Sequence, residues 1–257
     1  MLLLLREEEV QQSTMNKIPM VIMAAGVSSR MKRSSIPVGI SKKLVKQSNM
    51  REKGFIQVGD GNQPIIFYII NNCIKAGIKD FYVILSYDST QFQKYLRKIE
   101  KKLAINITFG FQDFYGKLKP IGTSDALFQL MNQFQELKKK RFLVCNSDNI
   151  YSTKAIRLLL NESIYNSMIA YNYKCLKFSE ERLSSFSILK IKENFLISII
   201  EKPNFETIKR FNMKFVSMNI FSFKGHQVYN YLKNCPINKE RKEKEIATAI
   251  QNMISDN

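Results

Sequence analysis

The chain has 257 residues, enough for one substantial domain with a full hydrophobic core, so its stability needs no disulfide or metal ion. Its formal net charge is +18, from 40 basic and 22 acidic side chains. Because the lysines are spread along the whole chain, without a tract of arginines and aromatic residues, the composition argues against a nucleic-acid-binding protein and is compatible with small polyanionic ligands.

The cysteines and the first residues indicate a cellular compartment. The four cysteines form no C-x-x-C pair, and Cys73 and Cys145 lie in apolar runs where reduced thiols pack well, which predicts a reducing, cytoplasmic location. The leucine run at residues 2–5 is short and has no cleavage pattern, so we expect neither a signal peptide nor membrane insertion. Residues 1–16 are predicted to be a disordered extension, and residues 17–257 a single domain.

In chain order, apolar runs of strand length alternate with segments of helical period, which is typical of parallel strands joined by helices. In the first half, strands are predicted at residues 20–25, 81–85, 105–111 and 142–145, and helices at 64–76, at 90–101 and from 123 onward. From about residue 167 the pattern becomes rich in strands, predicted at 168–173, 186–191, 195–200 and 215–223, before a closing helix at about 239–254. The sequence therefore predicts an α/β fold with a largely parallel sheet flanked by helices.

The segment at residues 24–32 has the composition of a phosphate-binding turn. Gly26 would turn the backbone tightly after the first strand, so that Ser28 and Ser29 face a bound phosphate. Arg30 would supply a fixed positive charge for that phosphate. The single glycine excludes both the Walker A loop and the dinucleotide-binding fingerprint, and a plain turn between strand and loop stays open as an alternative.

The strand predicted at 142–145 runs into a polar segment, Asn146 to Asn149. Its side chains should lie at the carboxyl edge of the sheet, where open α/β sheets bind their ligands. At the end of a buried strand, the Asp148 carboxylate is costly unless it is hydrogen-bonded or bound to a cation, and its hard oxygens suit Mg²⁺. The alternative is that Asp148 caps the next turn and binds no cation.

Several segments, taken in order, resemble the signature segments of the sugar-nucleotidyltransferase family. They are the glycine turn at 24–32, the lysine segment 53–58, Gln112 with 122–127, the polar segment 146–149, Glu201-Lys202-Pro203 and the segment 217–221. The resemblance covers about residues 18–223 and implies a GT-A-like Rossmann fold, a three-layer sandwich around a mostly parallel mixed central sheet. It also implies that about 17–150 bind an NTP and about 151–257 bind the acceptor.

The resemblance implies an enzyme that transfers a nucleoside monophosphate from an NTP to a small phosphorylated acceptor, a sugar 1-phosphate, for cell-envelope glycan synthesis. Arg30 would hold the β- and γ-phosphates, Lys53 would meet charge developing at the α-phosphate, and Asp148 would hold the Mg²⁺ cofactor. The implied nucleotide-binding residues are Ala24, Ala25, Gly26, Ser28, Ser29, Gln112, Gly122 and Thr123. The implied acceptor-binding residues are Asn146, Glu201, Lys202 and Asn219.

The predicted helix from residue 123 begins in the segment that would meet the nucleobase. Gln112 can bond a base through its amide, and Gly122 lets the ring lie close to the backbone. Thr123, Ser124 and Asp125 are predicted to cap the helix, and we favour that role for Asp125 over contact with the nucleotide.

The chain departs from the family's pattern in two places. Many relatives supply a second aspartate to the metal late in the chain; here Asn219 is the nearest candidate, and contact with the acceptor is its alternative role. Residues 32–52 form an insert before Lys53, either a lid over the triphosphate or a surface loop, which keeps Lys42 and Lys43 as reserve candidates for the lysine.

Three other functions stay open from the sequence. Relatives with this signature also make CDP-alcohols, so the acceptor would then be phosphocholine or another phospho-alcohol. A glycosyltransferase of the same fold normally shows a D-x-D motif, and the arginine signature argues against it. A nucleotide-binding regulatory protein with a degenerate site is supported mainly by the missing second carboxylate.

Overall fold

The computed structural model describes residues 18–26, 53–59, 61–162, 164–176, 182, 184–210 and 215–256. The predictions for residues 1–16, for Ser28, Ser29 and Arg30, and for the insert at 32–52 lie outside these residues.

The described strands are β1 (Met20–Met23), β2 (Gln57–Val58), β3 (Gln63–Pro64), β4 (Asp80–Leu85), β5 (Asn106–Phe111), β6 (Arg141–Asn146), β7 (Ser167–Asn172), β8 (Ser187–Lys192), β9 (Phe195–Ile200) and β10 (Phe215–Lys224). The described α-helices are α1 (Ile65–Lys75), α2 (Thr90–Leu103), α3 (Thr123–Gln133), α4 (Thr153–Asn161), α5 (Phe205–Arg210), α6 (Gly225–Lys233) and α7 (Ile246–Ser255). Short 3₁₀ helices cover Lys53–Phe55, Gln135–Lys138 and Tyr173–Leu176.

The main sheet has the strand order β5-β4-β1-β6-β10-β8-β9, with β7 also paired to β10. Strands β5, β4, β1 and β6 run parallel to one another, whereas β10, β8 and β9 are joined by antiparallel pairs. Strands β2 and β3 form a separate small ribbon. The predicted α/β fold with a mixed central sheet and Rossmann-like layers is confirmed.

Helices cover both faces of the sheet, which explains why the parallel strands read as continuous apolar runs. On one face, α1 buries Ile66, Ile69, Ile70 and Cys73, at the spacing of one helical stripe, and α2 and α4 pack beside it. Each fully buried isoleucine contributes about 1.5–3 kcal/mol. The other face is covered by α3, α6 and α7. Among the described residues, no helix has both the length and the hydrophobicity that a membrane span requires.

The closing helix was predicted at 239–254, but α7 begins only at Ile246. Local hydrogen bonds hold the preceding residues in a turn, since the Asn238 side chain accepts the N–H groups of Glu240 and Arg241, each at 3.1 Å. Lys242 then adopts a left-handed conformation, with φ at +55°. The predicted start of this helix is therefore wrong, because a turn with its own side-chain acceptor replaces the first two helical turns.

Candidate active site

A pocket of about 460 Å³ opens where the parallel strands end. Its wall includes Met23 from the end of β1, Asn146 from the end of β6, and Gln112, which follows β5. The antiparallel part of the sheet supplies the opposite wall, at Ser187, Glu201, Lys202 and the middle of β10. The pocket therefore lies at the carboxyl edge, where the parallel and antiparallel parts of the sheet meet.

The glycine turn leaves β1 at this pocket. The Ala24 N–H donates to the Ile84 carbonyl (2.8 Å), which holds the chain beside β4 for one residue beyond β1. Ala25 is buried, Gly26 is exposed, and both line the pocket, whereas Ala24 is buried beneath them. The predicted phosphate turn thus starts at the pocket wall.

Asp148 lies in a turn just after β6 and lines the pocket. Tyr151 fixes this turn, because its hydroxyl donates to the Met218 carbonyl (2.8 Å) and accepts from the Asn146 N–H (3.3 Å). Asn149 Nδ2 also donates to the Met218 carbonyl (3.2 Å). Burial raises the pKa of the Tyr151 hydroxyl well above its usual value, so the hydroxyl keeps its proton and remains a donor. The turn that carries Asp148 is therefore tied to β10.

The lysine segment lies against the same turn. A Cβ placed on Gly54 would lie 2.8 Å from Ser147 Cβ and 3.0 Å from its carbonyl oxygen, so only glycine allows this approach. Phe55 anchors the segment by stacking on Phe92, with ring centroids 5.0 Å apart. Lys53 directly precedes Gly54, so its backbone lies next to the turn that carries Asp148. The Lys53 side chain lies outside the described part of the chain.

Gln112 and Asp125 form a buried polar network, and each is 2% exposed. Gln112 Nε2 donates to the Gly122 carbonyl (3.2 Å) and to Asp125 Oδ2 (2.9 Å), which engages both of its hydrogens. The Asp125 carboxylate also accepts from Gln129 Nε2 (2.7 Å) and from the Tyr115 hydroxyl (3.2 Å). The prediction that Asp125 caps α3 is wrong, because its carboxylate binds these side chains and makes no cap hydrogen bond.

The N-terminus of α3 is satisfied instead by the segment before α7. The Ser124 N–H donates to the Lys244 carbonyl (3.0 Å), and Thr123 Oγ1 accepts the Ile246 N–H (3.0 Å). Gly122 permits this contact, because its φ is +130° and a Cβ there would lie 2.2 Å from the Lys244 carbonyl oxygen. The predicted caps Thr123 and Ser124 are thus also wrong, since an incoming backbone carbonyl takes their place.

The predicted acceptor residues Glu201 and Lys202 lie side by side after β9. Lys202 Nζ is 3.6 Å from Glu201 Oε1 and 3.5 Å from Glu245 Oε1, and Lys202 has a φ of +46°. The Glu201 carboxylate accepts the Ser187 hydroxyl, and Glu245 accepts Arg241 Nε (2.7 Å) and Nη2. A row of alternating charges therefore borders this side of the pocket.

Asn219 lies at an irregularity in β10. The pairing of β10 with β7 shifts register between residues 217 and 221, and Asn219 has a φ of +56°. Its N–H donates to Ser217 Oγ (3.1 Å) rather than to a neighbouring strand. Met218 and Asn219 consequently line the pocket near the Asp148 turn instead of continuing the sheet.

Oxygen donors from Asp148, Asn146 and Asn219 line one pocket, but the described residues contain no group of three or more His, Cys, Asp and Glu side chains that could hold a metal ion. Mg²⁺ is commonly bound by one or two carboxylates together with substrate phosphates and water. The donor set therefore fits a magnesium ion that arrives with a triphosphate, and does not fit a metal enclosed by protein ligands alone.

The nucleotidyl transferase family model matches residues 21–257. The chain belongs to this family. Similar relatives include the glucose-1-phosphate adenylyltransferase of Histophilus somni (strain 2336), 24% identical over 204 residues that cover 76% of this chain and 46% of the relative. Another is the glucose-1-phosphate adenylyltransferase of Francisella tularensis subsp. novicida (strain U112), which is 25% identical over 232 residues. That match covers 85% of this chain and 53% of the relative. The chain thus spans about half the length of these relatives.

Solved structures share the fold. A UDP-glucose pyrophosphorylase complexed with UDP-glucose superimposes with a TM-score of 0.68 at 12% identity, covering 93% of this chain and 88% of that one. A putative glucose-1-phosphate thymidylyltransferase from Bacillus anthracis, in complex with a sucrose, gives a TM-score of 0.64 at 18% identity, covering 93% and 84%. At these identities the likeness shows the nucleotidyltransferase fold alone.

The pocket of this family member also includes residues that the sequence did not reveal. They are chiefly Lys119, Arg182, Glu243 and Glu245. All four lie in polar segments, and no pattern in the sequence indicates that they meet at one pocket.

Proposed function

We propose that the chain transfers a nucleoside monophosphate from an NTP to a sugar 1-phosphate, giving a nucleotide sugar and pyrophosphate. One observation carries the proposal: a single pocket is lined by residues from both ends and the middle of the sheet. Gln112, bonded to Gly122, follows β5 at one end, Asp148 follows β6 in the middle, and Glu201 and Lys202 follow β9 at the other end. Such an order suits a base, a reacting phosphate and an acceptor laid side by side.

The reaction needs positioning and charge rather than a covalent catalyst. A phosphate oxygen of the acceptor attacks the α-phosphorus of the NTP in line. The bond from the α-phosphorus to the bridging oxygen breaks, and that oxygen leaves with pyrophosphate. The pocket has the parts this step requires, namely cationic side chains, a carboxylate and close-approaching glycine backbone.

Asp148, with the amide oxygens of Asn146 and Asn219 nearby, would hold Mg²⁺. When bound, the ion would neutralise phosphate charge and help align the triphosphate. The protein's own contribution is to fix the turn that carries Asp148, through Tyr151 and Asn149, so that the carboxylate does not have to reorganise when the substrate binds.

Arg30 and Lys53 are proposed to bind the triphosphate. Arg30 follows the glycine turn, which reaches the pocket at Ala25 and Gly26. Lys53 precedes Gly54, which packs on Ser147 beside Asp148. The described neighbours of these two residues support the assignment, since Ala25 and Gly26 line the pocket and Gly54 packs on Ser147.

On the acceptor side, Lys202 would bind the phosphate of the sugar phosphate, and Glu201 and Asn219 would bind its hydroxyls. A protonated lysine is a strong phosphate donor, and a carboxylate accepts two hydroxyl hydrogen bonds. On the nucleotide side, Gln112 would present its amide oxygen to the base, because both hydrogens of Nε2 are engaged by Gly122 and Asp125.

The proposal is tested by pyrophosphate release with Mg²⁺, in which ATP, CTP, GTP, UTP and dTTP are each combined with a panel of sugar 1-phosphates and phosphocholine. Pyrophosphate release with one NTP and one sugar 1-phosphate is the expected result. Turnover with phosphocholine alone would replace the sugar acceptor by a phospho-alcohol. NTP binding without turnover on any acceptor would contradict the proposal and favour a regulatory protein.

A further inference from the structure

Four side chains next to the pocket form a row of alternating charges, Glu201, Lys202, Glu245 and Arg241, named here the charge row. Lys202 Nζ lies between the carboxylates of Glu201 (3.6 Å) and Glu245 (3.5 Å). Arg241 lies beyond Glu245 and contacts both of its carboxylate oxygens. Lys202, in the middle of the row, is the member to which we assign the acceptor phosphate.

Glu245 is held as a buried anion by Arg241. Its side chain is 8% exposed, and a carboxylate at that depth is strongly destabilising unless it is paired. The planar guanidinium of Arg241 meets the two oxygens with two nitrogens, which fixes the orientation of the carboxylate. The hydrogen bond to Glu245 also raises the pKa of Arg241.

The Lys202 ammonium is attracted to both carboxylates, but it is too far from each to form a short hydrogen bond with it. Its distances of 3.5 and 3.6 Å are longer than the roughly 2.7–2.9 Å of charge-assisted hydrogen bonds. The ammonium has three donors, and the side chain is 21% exposed at the pocket. The field of the two carboxylates therefore holds the ammonium in place and leaves donors for a phosphate.

The backbone on either side of Glu245 is bonded to the nucleotide side of the pocket. Lys244 accepts the Ser124 N–H, and the Ile246 N–H donates to Thr123 Oγ1, each at 3.0 Å. The position of Glu245 is thus set by the start of α3, the same segment that carries Gly122. We call the side of the pocket with Gln112 and Gly122 the nucleotide wall, and the side with Glu201 and Lys202 the acceptor wall. Glu245, whose backbone neighbours are bonded at the nucleotide wall, therefore contacts Lys202 on the acceptor wall.

We propose that Glu245 is a positioning residue: it holds the Lys202 ammonium toward the acceptor phosphate, at a place set by the nucleotide wall of the pocket. This inference rests on the proposed function and adds a residue that does not itself touch substrate. It requires that the effect of Glu245 on acceptor binding act through Lys202.

The test uses glucose 1-phosphate as the acceptor and measures KM for each substrate, kcat, and the Kd of glucose 1-phosphate by calorimetry. Glu245→Gln is expected to raise the KM and Kd of glucose 1-phosphate about tenfold, a typical coupling between contacting charged groups, with the KM of the NTP nearly unchanged. Arg241→Gln leaves Glu245 in place without its anchor and should shift the same constants in the same direction. Glu240→Gln, an exposed change of the same charge in the same segment, is the matched control.

A double-mutant cycle separates positioning from general damage to the pocket. In a Lys202→Met background, adding Glu245→Gln should change the KM of glucose 1-phosphate by less than about twofold. An effect of full size in that background, or an unchanged KM in the single Glu245→Gln variant of an active enzyme, would overturn the inference alone. A wild-type chain that binds no sugar 1-phosphate of the panel and releases no pyrophosphate with any of them would overturn the proposed function and the inference together.

Discussion

Gln112 Nε2 donates to Asp125 Oδ2 across 2.9 Å, and both side chains are 2% exposed. A buried carboxylate that accepts from two amides and a phenol is satisfied without a cation, so Asp125 belongs to the scaffold of the nucleotide wall. Its position fixes the orientation of the Gln112 amide, because the opposite orientation would bring the amide oxygen against carboxylate and carbonyl oxygens.

Asp125→Asn should destabilise the fold and weaken NTP binding. The new amide brings two hydrogens to a place where Gln112 and Gln129 already donate, which leaves buried donors unpaired at a cost of about 1–3 kcal/mol. Urea unfolding would measure the free energy, and the KM of the NTP would report the displaced Gln112. Asp88→Asn, at an exposed aspartate after β4, should change neither the free energy of unfolding nor the KM of the NTP. If the two variants gave the same values, the Gln112–Asp125 network would have no role in stability or in NTP binding.

Gly122→Ala should be far more destabilising than Gly77→Ala. Both glycines have positive φ, +130° and +103°, but a Cβ at Gly77 meets nothing within 4 Å whereas one at Gly122 lies 2.2 Å from the Lys244 carbonyl oxygen. We expect about 1 kcal/mol for Gly77→Ala from backbone strain, and more than about 3 kcal/mol for Gly122→Ala from strain plus the displaced segment. Chemical denaturation of the two variants makes the comparison, and similar losses would count against the close contact.

Asp148→Ala should lower turnover at least about 100-fold, because Asp148 is the carboxylate that we propose holds Mg²⁺ beside the reacting phosphates. The fold should persist, because Tyr151 and Asn149 tie the turn to β10 through their own hydrogen bonds. Pyrophosphate release and thermal unfolding, measured on the same preparation, separate the two effects. Asp88→Ala is the control, and retained activity in the Asp148 variant would rule out a catalytic role.

Stability should fall between pH 10 and pH 12 because of Tyr82 and Tyr95. Burial is the main cause that raises the pKa of each phenol from 10.0 to about 12, and the hydrogen bond to Glu136 adds to it for Tyr82. The folded chain keeps these protons where the unfolded chain loses them, so this stabilisation is complete below pH 10 and disappears as pH rises through about 12.

The paired substitutions Tyr82→Phe and Tyr95→Phe should flatten this pH dependence. Urea midpoints measured at several alkaline pH values would give the slope for each protein. A variant slope equal to that of the wild type would show that other groups cause the loss.

The middle of the central sheet was predictable because β1 and β6 are buried on both faces and therefore appear as unbroken apolar runs, as at Phe142–Cys145. The positions of the polar residues after those strands followed from the rule that parallel strands end at one edge. Helix α4 was not identified, although Ser152 caps it and Ala155, Ile156 and Leu159 give it an apolar stripe.

The remaining differences arise from contacts between distant residues. Asp125 has the sequence position of a helix cap, and only the folded chain shows that Gln112 and Tyr115 compete for its carboxylate. Residues 239–245 have the composition of a helix start, but the turn at Asn238 and the contacts with α3 hold them in another conformation. Glu245 therefore could not be assigned to the pocket from local pattern.

The pocket draws its walls from residues as far apart as Met23 and Ala247. During synthesis, the strands and helices up to β10 emerge from the ribosome before the segment that bonds to the start of α3. A nascent chain that lacks residues 243–247 therefore leaves the Ser124 N–H without its carbonyl partner and Lys202 without Glu245. Substrate binding should appear late in biogenesis, in a single step with the docking of α7.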